Sequence, residues 1–296
     1  MDDNNTRLLT RMIITLVIYF ACIFITGRYG NAGILYVIGI MGLAGMPSYA
    51  AASIRLTTVL IIMLFISKLI KQTYFFTRKR KSFIYGLFLG GYMILYAIIT
   101  TVINLKVAER FQNRCIIAFS CLYFMLVGVT EKLVFRGITA DLLLRMILQK
   151  EKEVKKQSDD GMIRNKAIYA AVIISGLIFA GAHAINIQYA DISGVLVQMA
   201  GAFVMGMFLT AVYYRTGNIY SVMILHVMND LAAALPVTII KSKESVADII
   251  SGYGAADLLQ MIPYLVILIF LIRPQKQEEI TGLWDTRGNS SEAILS

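Results

Sequence analysis

Residues 115–144 read CIIAFSCLYFMLVGVTEKLVFRGITADLLL. The run is long and apolar enough for a membrane-crossing helix, which needs about 20 mostly apolar residues. Yet it carries Glu131, Lys132, Arg136 and Asp141. An ionisable side chain at the bilayer centre costs about 2.5–3.5 kcal/mol on insertion scales, so such groups face a protein interior or a wet cavity and mark function. Two further stretches repeat the conflict. AVIISGLIFAGAHAINI (171–187) holds His183 and NIYSVMILHVMNDLAAAL (218–235) holds His226, the only two histidines of the chain. Three apolar segments that each hold acid–base or ligand chemistry predict one polar site built between helices.

Composition sets the surroundings of that site. The chain has 296 residues, of which 58% are hydrophobic and 16% charged, with mean hydropathy +0.70. Soluble domains lie near 45–50% apolar and 25% charged, so the expected class is all-α, a polytopic transmembrane helical bundle of about 8–9 spans. Spans are expected near 9–26, 32–50, 55–70, 83–105, 115–135, 168–188, 192–213, 218–240 and 256–272, with Pro47 and Arg55 breaking the early pattern. No cleaved signal is expected, because no small-residue cleavage site and polar mature region follow the first span. The net charge of +10 gathers at span ends, in TRKRKS (77–82) and in the loop 149–166, with Lys150, Lys152, Lys155, Lys156, Arg164 and Lys166. The positive-inside rule makes these loops cytoplasmic, and anionic lipid, with no nucleic acid, is their expected partner. Cys22, Cys115 and Cys121 show no paired or metal-ligand spacing and read as small apolar residues.

Four parts are expected along the chain: N-terminal transmembrane helices (1–110), a core holding every ionisable residue at membrane depth (111–240), a final transmembrane helix (241–273) and a polar, mobile tail (274–296) with an apolar patch at Leu283 and Trp284. Gly86 and Gly90 have the GxxxG spacing that lets a second helix approach closely.

Within the core, His226 and Asp230 are four residues apart and share one helix face. Asp230 is placed to accept from one imidazole nitrogen and fix the tautomer, leaving the other for a water, metal or substrate. Asn229 is the alternative partner. His183 follows the small residues Ala180, Gly181 and Ala182, with Phe179 one turn earlier. Glu131 is the acid–base candidate, and Asp141 with Arg145 forms an i,i+4 ion pair of structural character.

The residues Glu131-Lys132-Leu-Val-Phe-Arg136, Phe179-Ala-Gly-Ala-His183 and His226-Val-Met-Asn-Asp230 stand in the order of the three motifs EExxxR, FxxxH and HxxxN/D. Over residues 125–235 the chain therefore resembles the CPBP family of intramembrane proteases, which includes the type II CAAX prenyl endopeptidases and the Abi and bacteriocin-processing proteins. The resemblance implies an endopeptidase in which Glu131 activates water, His183 and His226 orient it and stabilise the oxyanion, and Asp230 supports His226. Arg136, Lys132, Asn229 and Phe179 are the supporting residues. If zinc is used, His183, His226, Glu131 and Asp230 supply its ligands with a water position left open; a metal-free glutamate mechanism is equally open. The implied substrate is a peptide or membrane protein, and the implied setting a bacterial plasma membrane.

One residue departs from the pattern. Lys132 replaces the second glutamate and stands four residues before Arg136, which sets two like charges on one face. Arg136 is then expected to turn to Asp141 or Asp230, or Lys132 to turn toward headgroups or a substrate carboxylate. The same departure keeps a non-catalytic membrane scaffold or bacteriocin immunity protein as the alternative function. A proton-coupled transporter lacks the expected repeated halves.

Overall fold

The structure, a computed structural model, describes residues 3–27, 48–72, 76, 80–155, 163–242 and 244–292. Among these the elements are helical, with one isolated antiparallel bridge between Phe111 and Ile240. In chain order they are α1 (Asp3–Ile25), α2 (Ser48–Leu69), α3 (Arg80–Leu89), α4 (Gly91–Lys106), α5 (Arg114–Lys132), a π-helical segment (Leu133–Ala140) and α6 (Asp141–Lys155). They continue with α7 (Ile163–Ala182), a 3-10 turn (His183–Gln188), α8 (Ile192–Thr216), α9 (Ile219–Ala233), α10 (Leu235–Thr238), α11 (Val246–Ser251), a second 3-10 stretch (Ala255–Met261), α12 (Ile262–Ile272) and α13 (Pro274–Glu292).

Six helices among the described residues are long and apolar enough to cross a membrane, and seven if the α3–α4 pair counts as one span. The exact count of eight or nine spans is not confirmed, and three of the expected segments take another form. The segment expected at 83–105 bends by 62° at Gly90. The segment expected at 218–240 is only the 15-residue α9, because the chain breaks at Ala234 before Pro236, whose ring lacks an N–H donor for a continuing helix. The segment expected at 115–135 continues to Lys150 as one 37-residue span. The stretch expected at 32–50 lies almost wholly outside the described residues, as do residues 156–162 of the loop 149–166.

Local signals set the ends that matter. Asn113 caps α5 by accepting from the Cys115 N–H at 2.8 Å, and Asn218 caps α9 by accepting from Ser221 at 3.2 Å. Gly217 ends α8 in the left-handed region at φ 59°, with its N–H on the Tyr213 carbonyl. Gly86 and Gly90 provide the close approach expected of them: Ser221 and Leu225 of α9 fill the space a Cβ would need.

The bundle distributes its side chains as a lipid-embedded protein does. Phe65, Phe88 and Ile269 point outward, whereas Tyr213, Tyr214, Arg136, Lys132 and Asp141 are fully enclosed. The tail expected to be mobile is instead the helix α13. Ile280 and Trp284, four residues apart, bury one stripe of it, and the Trp284 indole donates to the Tyr214 carbonyl at 3.0 Å. Arg215 reinforces the dock through Glu279 at 2.7 Å.

Candidate active site

Three helix ends converge. Glu131 lies in the last turn of α5, His183 opens the 3-10 turn after α7, and His226 and Asp230 lie one turn apart in α9. Helices α5 and α9 meet closely because position 128 is glycine; a Cβ there would stand 2.4 Å from Val227 Cγ2. That approach brings Glu131 Oε2 to 3.0 Å from His226 Nε2, and Asp230 Oδ2 reaches the same nitrogen at 3.0 Å. The sequence reading gave Asp230 one imidazole nitrogen and left the other for a water, metal or substrate. In the structure both carboxylates share Nε2, and Nδ1 is buried without a protein partner. An imidazole nitrogen carries one proton, so Nε2–H donates to one carboxylate at a time.

His183 is fixed differently. Its Nδ1 is 3.0 Å from the Phe179 carbonyl, which only accepts, so Nδ1 carries the proton and Nε2 is left with a lone pair in the neutral ring. The Phe179 ring packs edge-on against both imidazoles, with centroids 4.9 Å from His183 and 5.8 Å from His226. All four side chains, with Phe179 and Asn229, line one cavity of about 750 Å³.

The two cations lie behind that wall. Lys132 Nζ is 3.5 Å from Glu131 Oε2 and 3.9 Å from the Phe179 ring centre, with no exposed surface. Arg136 has its guanidinium carbon 4.4 Å from the same ring and donates to the Gly206 carbonyl at 2.9 Å. The sequence offered Asp141 or Asp230 as its acid. The structure gives it a carbonyl and an aromatic face instead, because Asp141 pairs with Arg145 at 3.0 Å and Asp230 stays on His226. Gly206 makes this fit, since a Cβ there would crowd Phe179 and Gly176 at 3.1–3.2 Å. Both cations lie against the Phe179 ring, and of the two only Lys132 also has an acid, Glu131.

Sequence reasoning missed part of the cavity wall. Arg55 of α2, Gln198 of α8 and Gln260 line it, with Asn186 donating to Gln198 at 2.8 Å and Tyr96 hydrogen-bonded to Gln260. Arg55 and Gln198 are polar residues in apolar runs, so the signal that found Glu131 was present for them too. As a zinc site the four residues fit poorly. Both carboxylates point at one imidazole nitrogen, and among the described residues no three His, Cys, Asp or Glu side chains gather as a ligand set.

Fold and site together define a class, an integral membrane helical protein with an acid–imidazole array facing an internal cavity. Residues 113–232 match the family model described as Type II CAAX prenyl endopeptidase Rce1-like, and over this segment the chain is similar to that family. No curated protein and no solved structure matches the chain significantly.

Proposed function

We propose that the protein is an intramembrane endopeptidase that hydrolyses a peptide bond of a polypeptide at or within the bilayer, in a bacterial plasma membrane. The observation that carries this reading is the meeting of Glu131, His226 and Asp230 at 3.0 Å on the wall of a cavity large enough for a peptide segment. Glu131 takes a proton from a cavity water while its Oε2 is held by His226. The hydroxide adds to the scissile carbonyl carbon, the C–N bond breaks, and the proton passes to the departing amine. His183 orients the water through Nε2 in its neutral form and donates to the oxyanion only as imidazolium. Lys132 gives the Glu131 carboxylate an adjacent charge partner. Proton transfer by a positioned group contributes about 10²–10⁴-fold to rate.

The test is digestion of internally quenched peptide libraries by reconstituted wild-type and Glu131→Gln protein. The reading expects about 10²–10⁴-fold slower cleavage in the variant; equal rates overturn it. Since no step runs through a metal, proteolysis is expected to survive chelation, and chelator-sensitive activity with stoichiometric zinc reassigns the mechanism. A second reading, a non-cleaving scaffold, is favoured by Lys132 in the family's glutamate position. It requires that wild-type and Lys132→Glu protein both leave every library intact.

A further inference from the structure

The cavity occupies one end of the bundle only. Its lining on α8 runs from Val197 to Met205, and on α9 from His226 to Ala234 just past the helix end. The two helices are joined at Gly217 and Asn218, so both stretches lie in the halves remote from that turn. Between the turn and the cavity the protein is solid. Every residue of α8 from Gly206 to Tyr214 is buried, as is every residue of the π-helical segment that follows Lys132. Arg136 donates to the Gly206 carbonyl at 2.9 Å and the Tyr214 hydroxyl to the Ala140 carbonyl at 2.7 Å, which ties the two layers together. At about 1.5 Å per residue, the seal along α8 is about 13 Å deep.

Hydrogen bonds assign the chain segments to the two ends. At the sealed end Asn218 donates to Ser82 at 3.2 Å, the Tyr220 hydroxyl to the Phe76 carbonyl at 3.3 Å and Arg215 to the Tyr85 hydroxyl at 2.8 Å. The span that carries Glu131 runs on to Lys150 at this same end, away from the cavity. At the other end the Asp191 N–H donates to Ser251 at 3.0 Å and the Lys241 N–H to the Arg110 carbonyl at 2.9 Å. Asn186, Tyr253, Asp257 and Gln260 line the cavity there. The basic residues divide unequally between the ends. Segments 68–81 and 149–166 at the sealed end hold six lysines or arginines each, whereas 106–114 holds three, 234–261 two and 183–191 none. Loops rich in lysine and arginine stay in the cytoplasm, so the sealed end is cytoplasmic and the cavity belongs to the opposite face. Resting on the endopeptidase reading, we propose that the cavity is entered from the extracytoplasmic face, and that its substrate is a polypeptide segment lying outside the cytoplasm. A translocation step must then precede cleavage, and a polypeptide confined to the cytoplasm is not cut. The carboxamides of Asn186, Gln198 and Gln260 at that end both donate and accept, which suits the main chain of an entering peptide.

Right-side-out and inverted membrane vesicles from cells expressing the full chain test this with a membrane-impermeant maleimide. In a Cys22→Ala, Cys115→Ala, Cys121→Ala background, Ala233→Cys and, separately, Gln198→Cys put a thiol on the cavity wall, and Lys150→Cys puts one at the basic end. The cavity thiols are expected to react in right-side-out vesicles and to be protected in inverted ones, with Lys150→Cys giving the reverse pattern. Cavity thiols that react only in inverted vesicles, from both sides, or only after detergent is added overturn the proposal. An impermeant internally quenched peptide library, added to the same two preparations of wild-type protein, keeps the two readings apart. Cleavage in right-side-out vesicles that is lost in inverted ones and in Glu131→Gln supports both. Cleavage confined to inverted vesicles overturns the side of entry and leaves the endopeptidase reading standing. If neither preparation cuts while the cavity thiols still react from outside, the side of entry stands and the endopeptidase reading fails.

Discussion

His226 Nε2 stands 3.0 Å from Glu131 Oε2 and 3.0 Å from Asp230 Oδ2, so a single imidazole N–H from α9 faces carboxylates of two helices. The arrangement separates the two acids by position. Asp230 lies on the histidine's own helix and fixes its ring, whereas Glu131 arrives from α5 and faces the cavity beside Lys132. Asp230→Asn keeps an acceptor for the imidazole and is expected to lower peptide-library cleavage by no more than about tenfold. His226→Ala removes the shared donor and is expected to cost about 10²-fold or more. Initial rates of the two variants on one library check the order.

Lys132, with no exposed surface, pairs with Glu131, which faces the cavity; losing one partner of a fully buried pair costs about 3–5 kcal/mol, an upper bound on the cost here. Lys132→Met is therefore expected to lower the melting temperature markedly in detergent. Lys132→Glu is expected to recover part of that loss, because Arg136 lies one turn further on and can donate to the new carboxylate.

A Cβ at position 86 would lie 2.6 Å from Ser221 Cβ, a short side chain on a packed helix that cannot swing away. Gly86→Ala is expected to destabilise by about 1–3 kcal/mol through overpacking. Adding Ser221→Gly removes the obstacle and is expected to restore much of the loss, a coupling that a double-mutant cycle on thermal stability would read.

Trp284 anchors α13 through Tyr213 and Tyr214, with ring centroids 5.4 and 5.7 Å away. Removing a buried aromatic of this size costs about 3–5 kcal/mol. Trp284→Ala is expected to free the C-terminal segment for trimming by added protease at concentrations that leave the wild type intact. Trp284→Phe is expected to stay protected.

The candidate residues stand out in the sequence because they break the rule of their surroundings. Glu131, His183, His226 and Asp230 are costly at membrane depth, and each proved to face one cavity. Arg136's partner was not legible, since a backbone carbonyl at Gly206 has no sequence signature and becomes reachable only once α8 packs there. The shortening of the span at 218–240 was signalled by Pro236, but hydropathy continued past it and masked the break. The helix of the tail is hidden by its average polarity; Ile280 and Trp284 are spaced to form a helical stripe, and a stripe of two among polar residues vanishes in a composition count.

The hydrogen bond between His226 and Glu131 joins two helices, and because the chain has only two histidines it is directly measurable by ¹⁵N NMR of selectively labelled protein in bilayers. Two distinct neutral imidazoles are expected: His183 protonated at Nδ1, and His226 protonated at Nε2 with an Nε2 resonance that moves in Glu131→Gln while His183 keeps its tautomer. Two imidazoles with the same tautomer, or a His226 signal indifferent to Glu131→Gln, would contradict it.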